Sequence, residues 1–430
     1  MLTRLTRSAA GTGPAAPVRC AHLGLGNFHR AHQAWYAAAD PGWGIAAYTF
    51  RSTELPRALG EQDGLFSLLV RGEDADSAEI VASISRAHPG TDEQRWLADL
   101  ASPNVGVLTL TVTEAAYRIP RAGEDSAVSR IASGLRARFR ADAAPLAIVP
   151  CDNVPDNAGV LRDVLRTALS DDERSLREWF ETGVSVVGTV VDRITPATAD
   201  EDLPAVAELT GFQDSAPVVA EPFTEWLLAG TFPGGRPAWE RAGARFVDDV
   251  EPYERRKLRL LNGAHTLLAY AGLGRGLGTV REAVDDDQLA ELVASWWDTA
   301  SLDVPLPAAE LADYRRQLLR RFAAPGIRHR LEQIAAGGSQ KIPARWLPAL
   351  RAERARGRLP PAVVTGLAAW LDHLRVGEQV RDPRADELVP LARSSGAARS
   401  VLAALDRQLA DDAELVAAVQ AETGRFSATT

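Results

Sequence analysis

Lys257, Asn262 and His265 lie close together in Lys257-Leu-Arg-Leu-Leu-Asn262-Gly-Ala-His265, and their side chains suit acid/base chemistry at an oxygen. A lysine deprived of water has its pKa lowered and can act as a general base. An asparagine amide can donate to an alkoxide or carbonyl oxygen. A histidine can orient a hydroxyl or relay its proton. On an α-helix at about 100° per residue, Asn262 falls about 140° and His265 about 80° around from Lys257. Leu258, Leu261 and Leu268 fall at about 100°, 40° and 20°, so the three polar groups share the apolar arc. Arg255, Arg256 and Arg259 are expected on the opposite side. Polar side chains on an apolar face need partners or a cavity. A snorkelling lysine, a buried asparagine and a packed histidine are the plainer account, and the residues alone leave both open.

Lysine is rare here: only Lys257 and Lys341 occur among 48 cationic side chains. Arginine cannot give up its proton near neutral pH and lysine can. For Lys341 two roles stand open, a helix-end or loop contact and a contact near the site.

The second candidate segment is Val18-Arg-Cys-Ala-His-Leu23 followed by Gly24-Leu-Gly26-Asn-Phe28-His-Arg30. A glycine pair between a strand and a helix suits a dinucleotide: Gly24 for the tight turn, Gly26 for close approach of pyrophosphate. The third glycine of the usual fingerprint is absent, with His at position 29. His29 and His32 are three apart, whereas metal-binding helices more often use pairs four apart. Packing or polar contact near a cofactor is the expectation for both, and no metal is expected. Past the second strand, Arg51 could pair with a 2′-phosphate and Glu54 with a ribose, so NAD and NADP both stand open. Cys151-Asp-Asn153 and Val191-Asp192-Arg193 follow strands, where open α/β sheets bind ligands. The aspartates could equally be caps.

The elements that must position these residues change character along the chain. Val18–Leu23, Gly44–Phe50, Leu65–Val70, Val105–Val112, Leu146–Cys151 and Val184–Val191 read as strands. Helical patterns at His29–Ala39, Thr91–Ala101, Asp125–Phe139 and Asn157–Leu169 fall between several of them. Such alternation predicts a parallel sheet covered on both faces. From Pro252 onward helical patterns dominate, among them Tyr253–Ala271, Asp286–Thr299 and Ile327–Ala336. The expected fold is α/β: a Rossmann-type dinucleotide-binding domain over 18–248 and a mostly α-helical domain over 249–430. Residues 1–17 are expected to form a flexible tail.

Composition bounds the function classes. Fifty-seven acidic against 48 basic residues leave a net charge of −9, which argues against nucleic acid as the main partner. Two cysteines, Cys20 and Cys151, make neither a disulfide framework nor a Cys-rich zinc site. The first residues carry no apolar secretory stretch, and no apolar run is long enough to span a bilayer. A cytoplasmic enzyme acting on a small molecule, as monomer or small homo-oligomer, is the expectation.

Taken together these segments resemble the mannitol dehydrogenase family of long-chain polyol dehydrogenases and reductases. The resemblance rests on Gly24 to Gln33, Thr109 to Glu114, Cys151-Asp-Asn-Val-Pro-Asp-Asn157 and Val191-Asp-Arg-Ile-Thr-Pro196. It continues through Phe232-Pro-Gly-Gly-Arg-Pro-Ala-Trp239, the Lys257 segment and Gly338-Ser-Gln-Lys-Ile-Pro343. It implies NAD(P)-dependent, metal-independent oxidation of a secondary alcohol at C2 of a polyol or sugar acid, in a cleft between the domains. By position it makes Lys257 the general acid/base, Asn153 and Asn262 the oxyanion holders and His265 a substrate-orienting residue. Asp192 is similar to a substrate-side acid of the family. Asn27, Phe28 and Glu114 join Gly24, Gly26 and Arg51 as cofactor contacts. One departure touches the substrate: family members often carry Arg after an Ala-Ala-Trp-Leu stretch, and here Ala368–Leu371 is followed by Asp372. Arg375 and Arg345 are the cations offered for a sugar-acid carboxylate. A non-catalytic NAD(P)-binding sugar sensor is the reading from another class.

Overall fold

The computed structural model describes residues 2–72, 74–113, 116–121, 124–325, 329–376 and 380–426. It divides into two compact units, Met1–Glu251 and Pro252–Thr430.

The main sheet of the N-terminal unit is six-stranded. Its strands are β1 (Val18–Leu23), β2 (Gly44–Tyr48), β3 (Ile84–His88), β4 (Val107–Leu110), β5 (Leu146–Pro150) and β6 (Val184–Val186). They lie in the order β3-β2-β1-β4-β5-β6 and every pair is parallel. That is the doubly wound order with a topological switch beside β1, where α/β sheets bind ligands. Successive residues feed opposite cores. Cys20, Ile45, Ala47 and Val107 pack on one face, and Ala21, Ala46, Tyr48 and Leu108 on the other. Burial on both faces explains why these strands read as continuous apolar runs.

Two strand expectations are corrected. The stretch read as Leu65–Val70 does form a strand, Phe66–Val70, but it pairs with Ser77–Val81 and Val218–Ala220 in a separate small sheet. The sheet edge is instead Ile84–His88, which its polar composition conceals. Val184–Val191 is not one strand. It breaks at Val187 into β6 and Gly188–Asp192, and the second piece pairs antiparallel with Glu225–Ala229.

The expected flexible tail is also corrected. Thr3–Arg4 pairs with Phe212–Gln213, and Thr6 caps a short helix, Arg7–Ala10. The Arg7 guanidinium donates to the carbonyls of Asp63 (2.9 Å), Ala82 (2.8 Å) and Ile84 (3.1 Å). These three backbone acceptors and the fully buried Leu5 side chain tie this segment down.

The C-terminal unit is helical, with one large core. At its centre runs a long helix: Glu251–Arg256, then a π-helical turn at Lys257–Asn262, then Gly263–Gly274. Gly263 through Gly272 are buried on every side. Asp287–Ala300, Leu331–Ala335 and Pro361–Val376 pack around it.

Candidate active site

The candidate residues fall in two clusters of polar side chains, one in each unit. In the N-terminal unit β1 ends at Gly24. Its φ is +110°, and an added Cβ would sit 2.0 Å from the Thr111 carbonyl oxygen. Only glycine tolerates both. Gly26 differs: a Cβ there would meet only the Gly24 carbonyl oxygen, at 3.7 Å. The protein itself makes no demand for glycine at 26, so the open space there suits an approaching ligand.

The following helix opens at Asn27 and passes through a π-helical turn at Arg30–Ala34. Asn27 Oδ1 accepts from Arg30 Nη2 at 2.6 Å, and Arg30 also donates to the Ala216 carbonyl. Phe28 stacks on His32, whose Nε2 lies 3.1 Å from the Glu225 carbonyl. His29 stacks on His22 with ring centroids 3.3 Å apart. Burial lowers the His22 pKa to about 3 and holds His29 well below the usual histidine range. Both imidazoles are therefore neutral packing groups beneath the glycine loop. Among the described residues no three His, Cys, Asp or Glu side chains are grouped to hold a metal ion.

At the end of β5, Asp152 accepts from the Val112 backbone N–H (2.6 Å) and from the Tyr117 hydroxyl. Burial raises its pKa to about 7. It thus joins the loops after β4 and β5 rather than capping a helix; Asp156 does the capping. Asn153 is exposed beside it. Asp192 is buried as the last residue of its strand, paired with Glu225. Arg51 is exposed in the bend after β2, near Asp125, and Glu54 opens the next helix. Glu114 lies outside the described residues.

In the C-terminal unit the lysine helix departs from the ideal α geometry used above. Across Lys257–Asn262 it is π-helical, and the Gly263 N–H bonds to the Leu258 carbonyl five residues back. Residues five apart, such as Lys257 and Asn262, therefore fall about one turn apart on one side. Both are partly exposed, whereas His265 is buried. Of the arginines expected on the side opposite the apolar arc, two are not solvent-exposed. Arg256 and Arg259 are buried, Arg256 over the Tyr314 ring and Arg259 on Asp303 (3.1 Å) and the Ala344 carbonyl.

His265 meets His329 edge to face, with ring centroids 4.8 Å apart. His265 Nε2 and His329 Nδ1 are buried without a protein partner. Burial holds His265 well below the usual range, helped by His329, Arg321, Arg345 and Lys257. Burial, with Arg321 and Lys341, lowers His329 to about 4. Sequence reading has no handle on His329, because only the fold brings it beside His265. Arg345 donates to the Asn262 carbonyl (3.2 Å) and Thr266 Oγ1 (2.7 Å), so it belongs to this cluster. Lys341 Nζ donates to the Ile334 carbonyl at 2.9 Å, a helix-end contact. Arg375, offered for a sugar-acid carboxylate, has local partners in this structure. Its guanidinium bonds to the Ala392 carbonyl (2.9 Å) and to Asp372 (3.5 Å), a local tie between helices.

Both units match known domains: the mannitol dehydrogenase Rossmann domain over residues 18–241 and the mannitol dehydrogenase C-terminal domain over residues 249–426. The chain belongs to the mannitol dehydrogenase family. It is therefore an oxidoreductase of the polyol dehydrogenase type. Its relatives include D-mannonate oxidoreductase of Escherichia coli, 32% identical over 94% of this chain and 92% of that one. D-arabinitol 4-dehydrogenase of Ralstonia nicotianae is 33% identical, covering 86% of this chain and 85% of that one. Among solved structures, the Pseudomonas fluorescens mannitol 2-dehydrogenase ternary complex with NAD and D-mannitol aligns with a TM-score of 0.84. It is 30% identical and covers 99% of this chain and 97% of that one. The family membership agrees with the Rossmann-type and helical units read from the sequence. Among the described residues no helix is long and apolar enough to cross a membrane.

Proposed function

We propose that the protein interconverts a polyol and its 2-ketose, of the mannitol and fructose type, using NAD or NADP. The observation that carries this reading is the lysine helix: Lys257 and Asn262 share one side of a π-helical turn, and a neutral, buried His265 follows. The NAD and D-mannitol held by the Pseudomonas fluorescens relative support the choice of cofactor and substrate class.

The N-terminal unit fits a dinucleotide. Gly24 makes the turn after β1, and Gly26 leaves room over the start of the Asn27 helix, where backbone N–H groups favour phosphate. Asn27 and Phe28 flank that space. When bound, the nicotinamide accepts the hydride from the carbinol carbon or returns it. Lys257, as the neutral amine, takes the hydroxyl proton during oxidation and gives it back during reduction. The amides of Asn153 and Asn262 hold the developing oxyanion. His265 Nε2, buried and without a protein partner, orients a substrate hydroxyl, and Asp192 is assigned to the substrate side.

A sugar acid, as in fructuronate and mannonate, is the second reading. Arg321, Arg345 and Lys257 all act electrostatically on His265, a setting that suits a carboxylate. The likeness to D-mannonate oxidoreductase points the same way. Polyols, ketoses and sugar acids assayed with NADH and NADPH separate the two readings. Lys257→Ala tests the mechanism: turnover near that of the parent protein, with cofactor still bound, would sink the role given to Lys257.

A further inference from the structure

A π-helical turn does not form for free within an α-helix. It breaks the regular pattern of backbone bonds from residue i to i+4, and the displaced carbonyls need other donors. In the lysine helix the Leu258 carbonyl takes the Gly263 N–H five residues on, and side chains add donors to carbonyls in and just after the turn, three of them tryptophans. Trp296 Nε1 donates to the Arg259 carbonyl at 2.9 Å. Trp297 Nε1 donates to the next carbonyl, Leu260, also at 2.9 Å. Trp346 Nε1 reaches the Gly263 carbonyl at 3.1 Å. The Asn262 carbonyl takes Thr266 Oγ1 at 3.0 Å and Arg345 Nη1 at 3.2 Å.

All three indoles are buried. Trp296 and Trp297 are neighbours on Asp287–Ala300, and they meet neighbouring carbonyls, so their register fits this turn. Gly263 lets the contact close: a Cβ there would lie 2.7 Å from Trp296 Cζ2. Packing alone would not demand an indole, since phenylalanine fills similar apolar space. Only tryptophan couples a large apolar ring to a rigid N–H donor.

We infer that Trp296, Trp297 and Trp346 are positioning residues whose indole N–H groups hold residues 257–262 in π-helical form and so set Lys257 against Asn262. The inference rests on the proposed acid/base role of Lys257. In a regular α-helix the same pair would diverge by about 140°. The amine and the amide would then no longer address one oxygen.

The test uses Trp297→Phe and Trp346→Phe in the full chain, with Trp239→Phe as control. Trp239 is an equally buried indole of the N-terminal unit whose Nε1 has no partner. The two test variants are expected to lose about tenfold or more in kcat, the scale set by misplacing a catalytic group. Their kcat–pH profile should shift while KM for the cofactor holds. The control should lower Tm without either change. Test variants with the kcat and pH profile of the control would overturn the inference. So would a crystal structure of the unmodified protein with an ordinary α-helix at 257–262, which needs no variant to fold. An inactive Lys257→Ala beside control-like tryptophan variants defeats this inference alone, whereas an active Lys257→Ala defeats the acid/base reading beneath it.

Discussion

The helix after the glycine loop and the helix of Lys257 each contain a π-helical turn, and the two turns are held in opposite ways. At Arg30–Ala34 all five side chains are buried and the polar ones are spent on the protein. Arg30 binds Asn27 and the Ala216 carbonyl, His32 faces the Glu225 carbonyl, and Gln33 bonds to His32. At Lys257–Asn262 the support comes from outside, from indoles that occupy backbone carbonyls. Lys257 and Asn262 stay partly exposed. The first turn uses its side chains to secure a loop. The second has carbonyls of its backbone bonded by others, and while Arg259, Leu260 and Leu261 are buried its Lys257 and Asn262 keep part of their surface exposed.

The largest expected effect separates these roles. Lys257→Ala should cost roughly 10²–10⁴-fold in kcat with little change in Tm, as removal of an acid/base group does. Arg30→Met should instead lower stability by about 2–4 kcal/mol by stranding buried acceptors. Turnover of the folded Arg30 variant should fall far less than that of Lys257→Ala. Steady-state kinetics and denaturant titration on both variants decide it; a reversed pattern would erase the contrast.

The two glycines sharpen the picture of the first helix. Gly24→Ala forces a Cβ onto the Thr111 carbonyl at positive φ, and should cost about 3 kcal/mol or more. Gly26→Ala should leave Tm near that of the parent and raise the cofactor KM severalfold. Equal losses of Tm at both positions would show that the protein, not a ligand, requires Gly26.

Acid should weaken both regions, because each rests on neutral imidazoles. Below about pH 6.5 the unfolded chain gains protons that folded His22 and His29, and likewise His265 and His329, refuse. Their depressed pKa values thus leave stability undiminished above that pH. It drains as pH falls toward about 3 for His22 and about 4 for His329. Urea midpoints measured from pH 7 to pH 4 should decline steadily; a flat profile would contradict the burial of these rings. The smallest effect is expected from Arg375→Ala, within about 1 kcal/mol of stability and with substrate KM unmoved. Arg345→Ala, which touches the lysine helix, should change KM or kcat more.

Much of this protein is written locally. Continuous apolar strands alternating with helices specify the parallel sheet, because residues buried on both faces must be apolar along the whole strand. Gly24 and Gly26 between a strand and a helix, and Lys257 spaced from Asn262 and His265, are likewise legible as single segments. Polar edges are not: Ile84–His88 carries Ser, Arg and His and conceals a sheet strand.

What the tertiary structure alone decided concerns partners far away in sequence. It tied the first residues to carbonyls at Asp63, Ala82 and Ile84. It turned Arg375 toward Ala392 and brought His329 beside His265. It also brought three indoles onto the carbonyls around Lys257, making a π-helical turn where helical periodicity predicts an ordinary one. The sequence by itself determined which groups could do the chemistry. Their relative geometry depends on hydrogen bonds closed only when distant elements pack, so only the fold could set it.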